Sequence, residues 1–287
     1  MKSRLVVSLV ALLLTATVTS RADNIYVSNQ NGNSITEFNS SGTPTVFYNS
    51  GLSMPGAMAA DSSGNLYVAN YNANTIEEIT PSGVGSIYAS GISTPHGLVF
   101  NSGGQLYAIS DGGSVYKVSS GSSSFFASTP STPIGGAFDA SGNLYVAIQG
   151  AEEIEKITPG GVGSVFAHSG LNYPTYLAFD KNGNLYVSNE GGNTIEKYTP
   201  GGVGSVFAST GLNQPEGLAF DSADNLYVAN VGNGTIEEFN TSGVGTQFAS
   251  GLNAPIAVVI EVPEPSSIAL LLVGLLGAVA AIHLRKA

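Results

Sequence analysis

The sequence predicts an all-β protein, a six-bladed β-propeller, and three observations lead to this prediction. A phrase close to Gly-Asn-Leu-Tyr-Val recurs with its tyrosine at positions 26, 67, 107, 145, 186 and 227, in steps of 41, 40, 38, 41 and 41 residues. Such a period indicates a repeat architecture. Gly and Pro recur about every ten residues, which suits hairpins and breaks helices. No segment of residues 23–262 keeps a 3.6-residue apolar period, so the helical repeat folds are excluded.

The first 22 residues are predicted to be a secretory signal peptide. Lys2 and Arg4 precede an apolar run, Leu5 to Thr17, and Ser20 and Ala22 are the small residues that a signal peptidase needs. Asp23 is therefore the expected mature start. A buried first strand or an uncleaved anchor is the alternative.

Each repeat reads as four short antiparallel strands, the blade of a propeller. In the second repeat the expected strands are 56–60, 66–70, 75–80 and 86–90. Turn residues separate them, because Asp and Gly supply local hydrogen bonds and positive φ while Pro fixes φ. The seven glutamates of the third strands are expected near the outer rim, where charge discourages edge pairing: 77, 78, 153, 155, 196, 237 and 238.

The two ends of the repeat region predict how the ring closes. The chain begins inside a unit, at a second strand over Asn24 to Asn29, and the last unit ends with an inner strand over Ile256 to Glu261. We expect these two segments to pair and complete one blade, which removes an exposed edge. Residues 23–261 would then form six blades.

The repeat units resemble those of NHL-type propellers. They read Gly-x-Leu-Ala-Phe-Asp, Gly-Asn-Leu-Tyr-Val-Ala-Asn and Asn-x-Thr-Ile-Glu-x-Ile, and the resemblance covers residues 24 to 261. It implies the fold and leaves the function open, since this fold hosts targeting domains of ligases, lyases, lactonases and scaffolds.

The last segment, residues 262–287, reads as a sorting signal. It contains Pro263-Glu264-Pro265, an apolar span from Ile268 to Leu284 that just reaches the length of a transmembrane helix, and a basic end at Arg285-Lys286. This tail resembles the PEP-CTERM sorting signal. The resemblance implies an exosortase-type processing protease as partner, membrane anchoring through the helix, and then delivery to the cell surface or exopolysaccharide. A permanent C-terminal anchor is the alternative.

The charge distribution argues against a nucleic-acid partner. All 20 acidic residues lie between Asp23 and Glu264, where only four lysines occur. This stretch therefore has a formal net charge of −16. A surface of this sign repels phosphate backbones. Its simplest role is the solubility of an exported protein, and weak cation binding is the alternative.

Candidate binding residues are expected at the mouth of the central channel, where the inner strands begin. The six equivalent positions there are Gly56, His96, Ile134, Thr175, Glu216 and Ile256, of which only His96, Thr175 and Glu216 have polar side chains. His96 and Glu216 lie three blades apart and are expected to face each other. They could be an acid–base pair, two ligands of a divalent cation, or solvated rim residues without a joint role.

Two enzyme families with this fold give a residue-by-residue test. Gluconolactonase-type propellers hold calcium with carboxylate and amide groups at the inner-strand starts, and only Glu216 fits that pattern here. The streptogramin-lyase type uses histidines and a glutamate around magnesium, whereas this propeller has only His96 and His168, and His168 falls on an outer strand. No cofactor is predicted, apart from a possible divalent cation.

Two other side-chain sets have a simple structural explanation. Asp180 to Asn184 has the oxygen spacing of a calcium loop, but position 191 is Gly where the bidentate Glu would be, so turn chemistry is favoured. Asn29, Asn70, Asn189 and Asn230 end four second strands, and could either bind sugar hydroxyls or cap turns.

The sequence therefore favours an exported binding or structural module associated with exopolysaccharide or another surface protein. The alternative is a metal-dependent lactonase- or lyase-like enzyme that uses His96 and Glu216. A third reading, a periplasmic envelope assembly factor, requires the tail to remain uncleaved.

Overall fold

The protein is described by a computed structural model that covers residues 24–39, 42–130 and 132–261. The predicted signal peptide, 1–22, and the predicted sorting segment, 262–287, lie outside the described residues. Within the described part, 24 strands form six four-stranded antiparallel sheets, which confirms the six-bladed β-propeller. Among these residues no helix is long and apolar enough to cross a lipid bilayer.

The strands are numbered β1 to β24 in chain order, and each blade contributes one strand to each of four concentric positions. The innermost strands are β4 (Pro55–Ala60), β8 (Pro95–Phe100), β12 (Pro133–Phe138), β16 (Pro174–Phe179), β20 (Pro215–Phe220) and β24 (Pro255–Glu261). The second strands are β1 (Asn24–Asn29), β5 (Leu66–Asn70), β9 (Leu106–Ser110), β13 (Leu144–Ile148), β17 (Leu185–Asn189) and β21 (Leu226–Asn230).

The outer half of each blade is equally regular. The third strands are β2 (Ser34–Phe38), β6 (Thr75–Ile79), β10 (Ser114–Ser119), β14 (Glu153–Ile157), β18 (Thr194–Tyr198) and β22 (Thr235–Phe239). The outermost strands are β3 (Pro44–Tyr48), β7 (Gly85–Ser90), β11 (Ser122–Ser128), β15 (Gly163–Ala167), β19 (Gly204–Ala208) and β23 (Gly245–Ala249). A short 3₁₀ helix, Gln149–Ala151, follows β13.

The first and last described strands close the ring, as the sequence predicts. Strand β24 pairs with β1 in antiparallel register, with Asn24 opposite Glu261 and Tyr26 opposite Val259. Blade 1 is therefore made of β24, β1, β2 and β3, and blades 2 to 6 follow in chain order from β4 to β23. Both ends of the repeat region are held in one sheet, which leaves no open edge between the first and last blades.

The hydrophobic core is divided among the seams between neighbouring blades. The tyrosine of the repeated phrase lies at these seams, and Tyr186 shows its role. Its ring packs edge-on against Phe207 of its own blade and Phe220 of the next, with centroid distances of 4.9 Å to both. Such edge-to-face pairs add about 0.5–1.5 kcal/mol beyond the burial of their area. The repeated tyrosine therefore joins one blade to the next.

In four blades the asparagine of the same phrase stabilises the turn that precedes the second strand. In blade 5, Asp180 Oδ1 accepts hydrogen bonds from the backbone N–H groups of Asn182 (2.9 Å) and Asn184 (2.8 Å), and its Oδ2 accepts one from the Asn184 side chain (2.7 Å). Asp139 and Asp221 make the same contacts in blades 4 and 6. Turn chemistry therefore accounts for the calcium-like spacing of residues 180–184.

The expectation for the third-strand glutamates is wrong for four of the seven. Glu77, Glu155, Glu196 and Glu237 are buried, with at most 9 % of their surface exposed. The edge strand of each blade is instead the fourth strand, and β3, β7, β11, β15, β19 and β23 contain no charged residue. These carboxyl groups consequently belong to the seams between blades, and burial raises the pKa of each of them.

Candidate functional site

The mouth of the channel is built by a backbone connection that all six blades share. Each inner strand begins with proline opposite the last residue of its second strand, as Pro174 lies opposite Asn189. One residue further, the Glu190 N–H donates to the carbonyl of Tyr173 at 3.0 Å. The equivalent hydrogen bonds occur in the other five blades, from Gln30, Tyr71, Asp111, Gln149 and Val231. Two residue positions per blade therefore face the mouth: the one after the inner proline and the one after the second strand.

The residue before each inner proline has a left-handed backbone conformation. The six are Met54, Thr94, Thr132, Tyr173, Gln214 and Ala254, with φ between 42° and 63°. In three blades an asparagine of the preceding blade supports this conformation, as Asn193 Oδ1 accepts the Gln214 N–H at 2.6 Å. The side chains at these positions are consequently displayed around the rim by a fixed backbone.

The strand-end asparagines support these connections rather than line the channel. Asn189 is 1 % exposed. Its Oδ1 accepts the Asn172 N–H at 3.2 Å, and its Nδ2 donates to the Gly170 carbonyl at 2.9 Å. Asn70 and Asn230 make the equivalent contacts. The turn-capping alternative is therefore the one that the structure favours.

The central channel is closed below its mouth by the side chain of Tyr176, which sequence reasoning missed. Tyr176 is the third residue of β16, and the equivalent residues of the other inner strands are all Gly or Ala: Ala57, Gly97, Gly135, Gly217 and Ala257. Five small residues thus leave room for one large ring. Tyr176 is 8 % exposed and packs with Ile134 and Ile256, two of the apolar mouth residues. A cavity of about 100 Å³ along the inner strands, lined in part by Ala57, Tyr176 and Gly217, remains.

Close backbone packing explains why small residues recur around this tyrosine. A Cβ atom on Gly135 would lie 2.8 Å from Cδ1 of Tyr176, and one on Gly217 would lie 2.3 Å from the Ile256 carbonyl oxygen. Real Cβ atoms do not approach other atoms so closely. The glycine pattern of the inner strands was the available sequence signal for a plugged channel.

Thr175 and Glu216, two of the predicted site residues, come together beside this plug. Thr175 is 1 % exposed, and its hydroxyl lies 2.9 Å from Ser188 Oγ and 3.3 Å from the Pro215 carbonyl oxygen. The pKa of Glu216 is raised to about 8, mainly by burial and also by the charge of Glu190, while a hydrogen bond from Thr175 partly opposes the rise. Glu216 Oε2 is buried without a hydrogen-bond partner among the described residues. Glu216 is therefore largely protonated at neutral pH.

His96, the third predicted site residue, lies on blade 3, opposite Glu216 on blade 6. Its ring packs edge-on against Tyr71 at a centroid distance of 5.3 Å, and the Tyr71 hydroxyl donates to Asp111 Oδ2 at 3.1 Å. Burial lowers the pKa of His96, while the charge of Asp111 opposes this. The imidazole is consequently neutral at pH 7, and its Nδ1 has no partner among the described residues.

Among the described residues no hydrogen bond joins His96 to Glu216, and both His96 Nδ1 and Glu216 Oε2 lack a partner. The hydroxyl group of the plug residue Tyr176 donates to the His96 carbonyl oxygen at 3.4 Å. Burial raises the pKa of Tyr176, and the charge of Glu216 adds to the rise. Among the described residues, no group of three or more His, Asp or Glu side chains could hold a metal ion. The predicted cation site therefore has two candidate donors on separate blades and no third.

Sequence reasoning also missed the second residue position at the mouth. Gln149 and Glu190 occupy it in blades 4 and 5, and their side chains are joined by a hydrogen bond from Gln149 Nε2 to Glu190 Oε2 at 3.1 Å. Together with Tyr173, Gly191 and Gln214 they line a shallow depression of about 280 Å³. The recurrence of a polar residue after the second strands could have indicated it.

Family models match two parts of this sequence. The NHL repeat matches residues 212–239, in blade 6, and the PEP-CTERM protein-sorting motif matches residues 261–286. No curated protein matches the sequence. The sorting motif indicates an exported protein that is recognised by exosortase-type processing.

Solved structures share the fold at low sequence identity. A virginiamycin B lyase from Staphylococcus aureus matches with a TM-score of 0.59 and 19 % identity, covering 71 % of this chain and 73 % of the lyase. A streptogramin B lyase matches with a TM-score of 0.65 and 16 % identity, covering 83 % of this chain and 86 % of the lyase. A protein of unknown function from Bacteroides caccae matches with a TM-score of 0.65 and 14 % identity, covering 83 % of this chain and 98 % of that protein. At these identities the likeness concerns the fold alone.

Proposed function

We propose that this exported six-bladed propeller, with its NHL repeat and PEP-CTERM sorting motif, acts as a binding module for exopolysaccharide at the cell surface. One observation carries the proposal: Tyr176 closes the channel, so that the mouth is a shallow polar surface rather than a deep reaction chamber. Enzyme sites usually enclose most of a small substrate. A shallow surface suits one segment of a long polymer.

The proposal extends to the two ends of the chain. Residues 1–22 direct export and are removed, and the propeller comprises residues 23–261. Residues 262–287 anchor the protein in the membrane until an exosortase-type protease recognises Pro263, Glu264 and Pro265. Processing then releases the propeller to the surface or the surrounding polysaccharide. The acidity of the propeller keeps it soluble in that setting.

Affinity electrophoresis tests this proposal. The processed protein, purified from its host, is run in native gels that contain increasing amounts of the host's own exopolysaccharide. We expect a concentration-dependent retardation that a protein of similar charge without a propeller does not show. Unchanged mobility at every concentration would refute the polysaccharide as partner and would direct attention to surface proteins.

A metal-dependent lyase- or lactonase-like enzyme is the second candidate. Two observations favour it: the buried carboxyl group of Glu216, whose Oε2 has no partner, and the structural likeness to streptogramin lyases. Perturbed carboxyl groups in clefts are common in catalytic sites. Metal analysis of the purified protein separates the candidates. A stoichiometric metal that is lost in Glu216→Ala and retained in Glu155→Ala, a buried carboxyl group outside the mouth, would favour the enzyme.

A further inference from the structure

The depression at the mouth combines the group types that recognise a sugar ring. It lies across blades 4 to 6 and is lined by Gln149, Tyr173, Glu190, Gly191 and Gln214. Its volume of about 280 Å³ is just below the range of about 300–1,000 Å³ that encloses drug-sized ligands. A single unit of a longer chain therefore fits this space better than a whole small-molecule substrate.

Tyr173 provides an exposed aromatic face at the edge of the depression. It is 54 % exposed. Among the six rim residues with left-handed backbone it is the only aromatic one, since the others are Met, Thr, Thr, Gln and Ala. Tyrosine offers an apolar ring and a polar tip, which suits a partner with an apolar face and hydroxyl edges.

Gly191 leaves space for this ring. A Cβ atom at residue 191 would lie 3.1 Å from Cδ2 of Tyr173 and 2.6 Å from Oδ1 of Asn172. Glycine therefore lets the tyrosine ring lie against the backbone of the next turn. The ring lies beside the polar groups that line the depression.

Amides and one carboxylate provide the hydrogen-bonding groups. The bond from Gln149 Nε2 to Glu190 Oε2 orients these two side chains and leaves the Gln149 carbonyl oxygen and further lone pairs of Glu190 for a ligand. Gln214 adds a third polar side chain, on a backbone that Asn193 fixes. Donors and acceptors thus both face the depression, as the hydroxyl groups of a sugar require.

The charge of the depression restricts the kind of sugar. Glu190 lines it, and Glu216, whose pKa the Glu190 charge raises, lies close by. Residues 23–264 carry −16 overall. An anionic sugar would meet repulsion from the Glu190 carboxylate and from the net negative charge of the propeller.

We propose that Tyr173, Gln149, Glu190 and Gln214 form a subsite for one neutral pyranose unit of a polysaccharide chain. The sugar ring stacks on Tyr173, and its hydroxyl groups bond to the two glutamines and the glutamate. This subsite deepens the proposed function and rests on it. Uronic-acid units are excluded from it.

The test uses the host's exopolysaccharide in two forms, native and with its carboxyl groups chemically reduced to alcohols. Affinity electrophoresis gives the dissociation constant of the wild-type protein and of Tyr173→Ala, Tyr173→Phe, Gln149→Ala and Phe125→Ala. Phe125 is a matched control because it is another exposed aromatic residue, at 63 % against 54 % for Tyr173, and lies away from the mouth on the outermost strand β11. Tyr173→Ala is expected to fold, since Ala254 adopts φ 54° at the same position of blade 1. Circular dichroism and a thermal melt check this.

We expect Tyr173→Ala to weaken binding about tenfold or more, Gln149→Ala to weaken it less, and Tyr173→Phe and Phe125→Ala to bind like the wild type. The reduced polysaccharide should bind at least as tightly as the native form. If the wild type binds the polysaccharide and Tyr173→Ala binds it equally well, the proposed subsite is wrong and the proposed function stands. Tighter binding of the native, anionic polysaccharide would overturn the assignment of the subsite to a neutral sugar. Absence of binding by every variant, including the wild type, would refute both proposals.

Discussion

The hydroxyl group of Tyr176 on blade 5 donates a hydrogen bond to the backbone carbonyl of His96 on blade 3, at 3.4 Å. This contact spans the central channel and joins two blades that are not neighbours. It also places a fully packed phenol ring between the two titratable residues of the mouth, His96 and Glu216. The mouth consequently has a closed floor.

Tyr176 should contribute strongly to stability because it fills the axis of the ring. We expect Tyr176→Ala to lower the free energy of unfolding by about 3–5 kcal/mol, the usual cost of truncating a buried aromatic side chain. Tyr176→Phe should cost only about 1 kcal/mol, since it removes the hydrogen bond and retains the packing. Urea denaturation measures both. A loss below 1 kcal/mol in Tyr176→Ala would show that the ring does not plug the channel.

Glu216 should make stability depend on pH. Its pKa in the folded state is raised to about 8 from 4.5, so folding favours the protonated acid. The resulting stabilisation is complete below pH 4.5 and is lost as the pH rises through about 8, with about 1.4 kcal/mol for each unit of pKa difference. Glu216→Gln resembles the protonated acid at every pH.

Thermal melts at pH 5 and pH 8.5 check this expectation. Glu216→Gln should match the wild type at pH 5 and melt at a higher temperature at pH 8.5. The comparison isolates Glu216 because the seam glutamates, whose pKa values are also raised by burial, are the same in both proteins. If the melting temperatures of the two proteins differed by the same amount at both pH values, the raised pKa of Glu216 would be contradicted.

The glycines that follow the outer strands provide a test of the buried seam carboxyl groups. Gly170 and Gly91 have the same φ of 81°, but a Cβ atom on Gly170 would lie 2.9 Å from Glu196 Oε1, whereas one on Gly91 would meet nothing within 4 Å. Gly91→Ala should therefore lower the free energy of unfolding only by the strain of a left-handed alanine, about 1–2 kcal/mol. Gly170→Ala should cost about 1–3 kcal/mol more because of overpacking.

Denaturant titrations of the two variants measure both losses, and Glu196→Ala, which removes the carboxyl group from this space, is the background for a double-mutant cycle. Equal losses in Gly91→Ala and Gly170→Ala would show that the Glu196 carboxyl group does not occupy the space beneath residue 170.

The sorting motif predicts the fate of the tail. We expect the mature surface protein to lack most of residues 262–287, and Glu264→Ala in the full chain to leave an unprocessed form in the membrane fraction. Mass spectrometry of the surface and membrane fractions measures both forms, with Glu152→Ala, an exposed glutamate of blade 4 outside the matched motif, as the control. An intact tail on the wild-type surface protein would support the permanent anchor instead.

The fold could be predicted from the sequence because its signals are local and repeated. The tyrosine spacing predicts the six blades, and the half-units at Asn24 and Glu261 predict the closure, which the β1–β24 pairing confirms. Each signal depends on turn chemistry and strand alternation within about forty residues, and six copies reinforce one another.

The site was less predictable because it depends on which side chains meet across blades. Tyr176 plugs the channel only because five residues from five other blades are small, a relationship that no single repeat displays. Glu190 and Gln149 lie 41 residues apart in sequence and meet at a seam. The burial of Glu196 was also missed, because a glutamate in a repeat normally indicates a solvated surface.

The most direct test of the account is a calorimetric titration of the processed protein with the host's exopolysaccharide, in the presence and absence of EDTA, followed by sizing of the polysaccharide. We expect saturable binding that EDTA does not change and a polymer of unaltered length. Absence of binding, or a shortening of the polymer that EDTA prevents, would contradict it.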